Sequence, residues 1–370
     1  MERFWRTEVS KARTVGALRV GGGGVSVAED AVAIAQPVKQ RVPFFDNAKA
    51  GLISLVVFNH LFSLEVAKVQ PGRSFYLMVL LFHMPAFIFV TGMLSRPYEF
   101  TQKGAHSLGK VLWRYLAFNT ISLAWGYLLL DGPAFGLNQI LFHPAFALWF
   151  LLAMAWWQLA LALFAVGKGT KAALVSIAIA VLISAASGYF IKGGQWLTIN
   201  RVFTFLPFYV AGYRVKQMGW AMPRNRWTRV VAVLVFVLAF TALYSGVLVT
   251  GSEVLLGRAP YKGLHLVGAP AGVIRLELLA IAGLLIAAFL QLVPRSKSLL
   301  STLGVASLSI YVWHALFVQT IKFYDYREML TGTLPAVLLT TTALVLVFGL
   351  GPIPRLADLI AGAPFRKKAS

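Results

Sequence analysis

The 370-residue sequence is 58% hydrophobic and 13% charged, with a mean hydropathy of +0.74 and 34 basic against 13 acidic residues, a net charge of +21. This composition points to a membrane protein, and the absence of cysteine excludes disulfides, thiolate metal sites and an acyl-cysteine intermediate. The positive charge flanks apolar runs, so it is read as topology and contact with anionic membrane lipid rather than as nucleic-acid binding.

In chain order, residues 1–40 combine scattered basic residues with the run Gly21-Gly22-Gly23-Gly24, and are expected to form a flexible cytoplasmic tail. No apolar h-region follows the first basic residues, so no cleavable signal peptide is expected. The transmembrane domain is assigned to 41–354. Within it ten apolar runs approach the ~20 residues needed to cross a bilayer. They are 50–68, 74–95, 111–130, 146–166, 172–191, 199–215, 229–250, 272–292, 303–321 and 332–352. A basic tail, 355–370, closes the chain. With the N-terminus inside, most Lys and Arg fall in cytoplasmic segments, so the fold expected is an all-α bundle of about ten spans with both termini cytoplasmic. A bacterial-type inner membrane is the expected location. The loop 251–271 is the longest outer connection and is placed to pack over an outer site.

Chemistry is concentrated in the first span. Ten residues separate Lys49 from His60, and eleven steps of about 100° return the two side chains to nearly one face, roughly 16 Å apart along the axis. The lysine is expected at a membrane surface and the histidine near mid-bilayer. An ionisable group at that depth marks a functional site or a bond to a neighbouring helix. His83 and His314 fall at similar depth on two other spans. Three histidines on separate segments can suggest a metal, but no carboxylate lies at matching depth and no close-spaced ligand pair exists, so no metal is expected. His106, His143 and His265 fall in predicted loops and receive no role.

The run Phe45-Asp46-Asn47-Ala48-Lys49 followed by Leu55-Val56-Val57-Phe58-Asn59-His60 resembles the first span of integral-membrane acyltransferase family 3, in its fucose 4-O-acetylase-like branch. Further matches follow in family order. They are Phe82-His83-Met84-Pro85 through Gly92, Leu148-Trp149-Phe150-Leu151-Leu152, Arg201 through Tyr209 with Gly212-Tyr213, and Leu303-Gly304 through Tyr311-Val312-Trp313-His314. Two departures stand out: Lys49 occupies a position where the family usually has arginine, and Asn59-His60 replaces the usual Gly-His. The resemblance implies transfer of an acyl group, typically acetyl from acetyl-CoA, to a hydroxyl of a carbohydrate or envelope glycan.

On that reading His60 and His83 are the catalytic candidates. His60 either accepts the acceptor hydroxyl's proton or attacks the thioester, with direct transfer preferred. Lys49, Arg114 and Lys110 are expected to bind the CoA phosphates, against the alternative of ordinary anchoring at helix ends. Asp46 orients Lys49. Arg201 and Glu277 are expected on the acceptor side, or in a mutual salt bridge. Trp149 offers a ring on which a sugar can stack, and Tyr311 pairs with His314 at i, i+3 in a supporting role with Asn59. The rival reading is a transporter or flippase for a glycan or small solute, with the buried histidines as relay or substrate sites.

Overall fold

A computed structural model describes residues 41–191, 195–220, 222–248, 250–263 and 270–365. The expected tail 1–40, the end of the basic tail and His265 lie outside them. Among the described residues the fold is entirely helical, with no strand. In chain order the helices are α1 (Pro43–Phe62), α2 (Gly72–Leu94), α3 (Gln102–Leu129), α4 (Leu137–Phe142), α5 (Trp149–Phe164), α6 (Gly169–Phe190), α7 (Ile199–Met218) and α8 (Arg226–Tyr244). They continue with α9 (Ser252–Leu256), α10 (Ala271–Leu292), α11 (Leu299–Val305), α12 (Ser307–Phe323), α13 (Arg327–Thr331), α14 (Leu334–Gly349) and α15 (Ile353–Gly362).

Each of the ten apolar runs coincides with a helix, but among the described residues only α2, α6, α8 and α10 are long and apolar enough to cross a membrane alone. Two bent pairs, α11–α12 at 71° and α14 with the C-terminal segment at 58°, bring the number to six. The others are shortened or carry polar side chains. α7, for instance, holds Asn200, Arg201 and Arg214, all buried.

α2 is the centre of the bundle. In its apolar window 72% of residues are buried, against 11% for α8 and 22% for α6, whose outer faces are apolar and exposed. It packs closely on α7 because glycine stands on both sides: a Cβ on Gly92 would lie 2.2 Å from the Tyr209 carbonyl oxygen, and one on Gly212 would lie 2.0 Å from that of Phe89. Small residues permit this backbone approach between helices that gain little hydrophobic free energy from meeting in lipid.

The first helix begins and ends seven and six residues earlier than expected, Pro43–Phe62 rather than 50–68. Hydropathy placed its start after Asp46 and Lys49, yet these two charges pair at 2.8 Å, and proline is well suited to a first turn because it lacks the N–H that would go unbonded there. Asp46 also complements the positive end of the helix dipole. Beyond Phe62 the chain turns, and Glu65 and Lys68 pair with each other on the surface. His60 therefore sits in the last turn of α1 rather than midway along it.

The start of α1 is clamped to α11. A Cβ on Gly304 would lie 1.8 Å from the Asp46 carbonyl oxygen, so the two backbones touch. Asn47, buried beside this contact, donates to the Pro294 and Ser296 carbonyls at 2.9 and 2.8 Å and accepts from the Ser301 hydroxyl at 2.8 Å. A buried amide satisfied in this way adds modestly to stability, whereas losing its partners costs about 1–3 kcal/mol. The α11–α12 bend then carries the chain back across the far end of α1.

Candidate active site

The histidines meet where α1 ends. Nδ1 of His60 lies 3.1 Å from Nε2 of His314, their ring centres 5.3 Å apart and their planes within 14°. His314 Nδ1 is in turn 2.9 Å from the Ile310 carbonyl oxygen. A carbonyl has no proton to give, so His314 donates through Nδ1–H, and a neutral ring then has its lone pair on Nε2. His60 must donate to that lone pair through its own Nδ1–H. The chain of bonds leaves the Nε2 lone pair of His60 as a proton acceptor, with the ring orientation fixed by His314.

His83, midway along α2, sends Nδ1–H to the Val79 carbonyl at 2.7 Å, so its Nε2 is likewise an acceptor. It does not bond to His60. No set of three His, Asp or Glu side chains among the described residues is arranged to hold a metal ion. Asn59, adjacent to His60 and buried, has a side-chain oxygen with no hydrogen-bond partner.

The segment before α5 forms one wall. The Phe146 ring centre is 5.0 Å from that of His60, and its backbone takes φ +42°, a left-handed conformation that costs a non-glycine residue roughly 1–2 kcal/mol. Two contacts hold it there: Tyr311 donates its hydroxyl to the Ala147 carbonyl, and the Ala145 N–H donates to Asn119 Oδ1 at 2.7 Å. Asn119, fully buried, also donates through Nδ2 to the Ile140 carbonyl at 3.0 Å. Tyr311 thus supports the wall.

Three expectations are corrected by the packing. The guanidinium of Arg201 lies over Trp149, 4.6 Å from the ring centre, and Phe205 stacks on the same indole at 5.7 Å. Trp149 is buried and acts as a platform for Arg201 rather than an open surface for a sugar. Arg201 makes no salt bridge to Glu277, because its Nε donates to the Leu256 carbonyl at 3.2 Å in the outer loop. Glu277 is exposed, on the face of α10 opposite the buried Arg275. Two residues at 100° each separate those side chains by about 200°, so only one can point inward. Arg275 takes that place, bonding Thr204 Oγ1 at 2.6 Å and lying over Tyr261.

The donor candidates stand apart from the histidines. Lys49, partly buried, pairs with Asp46, and Arg41 reaches the same carboxylate at 4.0 Å. Lys110 lies over the Phe365 ring at 5.8 Å, and Trp113 donates to the Ile360 carbonyl at 2.8 Å, so the C-terminal segment covers this end of α3. Arg114 has a buried Nε without a partner. α1 and α3 both pack on α12, so these cations lie on two helices that flank a third. Sequence reasoning missed Phe146, Asn119 and Lys322. Asn119 was visible as an amide inside an apolar run, while the other two carried no distinguishing signal.

Fold and site define a helical membrane protein with a buried, oriented histidine pair. A family model described as an acyltransferase domain matches residues 42–351, and the chain belongs to that family. Its activity class is that of a membrane acyltransferase. No curated protein and no solved structure gave a match.

Proposed function

We propose that the protein transfers an acyl group, acetyl in the first instance, from acetyl-CoA to a hydroxyl of a carbohydrate or envelope glycan, as in the fucose 4-O-acetylase-like branch. The observation that carries this reading is the His60–His314 pair, in which one imidazole is held with a free Nε2 lone pair. His60 takes the proton of the acceptor hydroxyl as its oxygen attacks the thioester carbonyl. The C–S bond breaks, CoA leaves as thiolate, and that proton is delivered to the sulfur. His314 holds the imidazole and accepts from its Nδ1–H throughout, which favours the transient imidazolium. His83 stands as a second proton acceptor near the reacting groups.

The reading places ten crossings in a bacterial-type inner membrane with both termini cytoplasmic. The starts of α1 and α3, with Lys49, Arg114 and Lys110, then face the donor, and the end of α1 faces outward with Arg201 and the 251–263 segment. Purified protein in detergent is expected to move label from acetyl-CoA to a glycan acceptor. Solute movement across sealed vesicles without consumption of acetyl-CoA would instead support a transporter.

Lys49→Ala is expected to weaken CoA binding by about 1–3 kcal/mol, the range for one charge-assisted bond to a phosphate. Lys49→Arg retains most of it, since either cation can pair with both Asp46 and a phosphate. Equal affinity of Lys49→Ala and wild type in a direct binding titration would remove Lys49 from the donor site.

A further inference from the structure

A cavity of about 530 Å³ opens between the C-terminal ends of α3 and α12 and the segment before α4. Ser122, Gln139, Gln319 and Lys322 provide its polar lining, and Tyr127 and Phe135 its aromatic surface. The volume falls within the ~300–1,000 Å³ of small-ligand sites. Amide and hydroxyl groups beside aromatic faces suit a pyranose, which offers hydroxyls at its edge and C–H groups on its faces.

Lys322 connects this cavity to the histidine pair. It lines the cavity, and its Nζ lies 5.1 Å from the centre of the Phe146 ring, itself in contact with His60. Of the acids near this end of the bundle, Glu65 pairs with Lys68 and Asp325 with Arg327, while Asp131, exposed between the lining residues Leu130 and Gly132, makes no ion pair among the described residues. Among the described residues no carboxylate pairs with Lys322. Lys322 is exposed at the cavity rim, and an ammonium there with no ion-pair partner attracts a ligand that carries an anionic group.

We propose that this cavity is the acceptor subsite and that it selects a sugar bearing an anionic substituent, carboxylate or phosphate, with Lys322 as the counter-ion. The inference rests on the acyltransferase reading for its role in catalysis but not for its binding chemistry. The anionic group anchors the sugar at the cavity mouth of the wall, and a hydroxyl of the same or the adjoining ring reaches His60 past Phe146.

The test uses the full chain in lipid nanodiscs and three matched probes: phenyl β-glucoside, phenyl β-glucuronide and phenyl β-glucoside 6-phosphate. Equilibrium binding is expected to favour at least one anionic probe over the neutral one by about tenfold or more. Whichever is preferred identifies carboxylate or phosphate. In Lys322→Gln the ratio falls to near one, and in Lys322→Arg it persists; retained acetyl-CoA binding verifies that both variants are folded. Equal binding of all three probes by wild type, or an unchanged ratio in Lys322→Gln, overturns the inference. Selective binding without acetyl transfer would leave the anionic subsite standing and count against the acyltransferase reading with this donor. Acetyl transfer with no charge preference would do the reverse.

Discussion

His60→Ala is expected to lower acyl transfer by about 10²- to 10⁴-fold, or roughly 3–5 kcal/mol of transition-state stabilisation, while CoA still binds. The size of the effect follows from the bond geometry. With Nδ1 committed to His314, only Nε2 of His60 can receive a proton, and alanine offers nothing in its place. Single-turnover transfer from labelled acetyl-CoA, compared with CoA binding on the same preparation, provides the measurement. If His60 instead attacks the thioester, wild type supplied with donor alone retains an acetyl group that His60→Ala does not. Undiminished transfer by the variant would end the catalytic assignment.

His314 acts on the substrate only through His60, so its loss should spare binding and impair turnover. Removing one hydrogen bond to a charged partner costs about 1.5–3 kcal/mol, which predicts a fall in kcat of about 10- to 150-fold for His314→Ala with KM for both substrates little changed. His314→Gln distinguishes orientation from packing, because an amide oxygen can accept from the Nδ1–H of His60. It should recover most of the lost rate. A Gln variant as slow as the Ala variant, or a matched rise in KM, would show that His314 serves the packing of α12 and not the orientation of His60.

The positions of the helices were legible because length and hydropathy constrain a segment that must bury its backbone groups in lipid. Histidines at similar depth on separate runs pointed to convergence. The sequence could not say that His314, not His83, touches His60, because that depends on a 71° bend at Ala306 joining residues 254 positions apart. The same limit explains Arg201 and Glu277. Hydropathy sets how deep a side chain lies, but rotation about the axis sets which neighbour it meets, and Arg275 occupied the inward direction on α10. Lys49 was read as lying at a membrane surface with Asp46 beside it to orient it, and the two do pair, inside a helix that starts earlier, at Pro43. Phe146 and Lys322 look ordinary in the sequence because an aromatic and a lysine at span ends are commonplace, and only the left-handed turn at Phe146 brings the two together.

The contrast in burial between α2 and α8 separates residues that answer to one another from residues that answer to acyl chains. Lipid conforms to whatever apolar shape it meets, so replacing Leu238, exposed on α8, by isoleucine or phenylalanine changes little. Ile88 and Val90 on α2 are fully enclosed, and added bulk there costs about 1–3 kcal/mol against neighbours that cannot move. Inherited substitutions will therefore collect on α6 and α8 far faster than on α2. Kinship judged on the outer helices will seem more distant than it is, and the inner helices will preserve the record of descent.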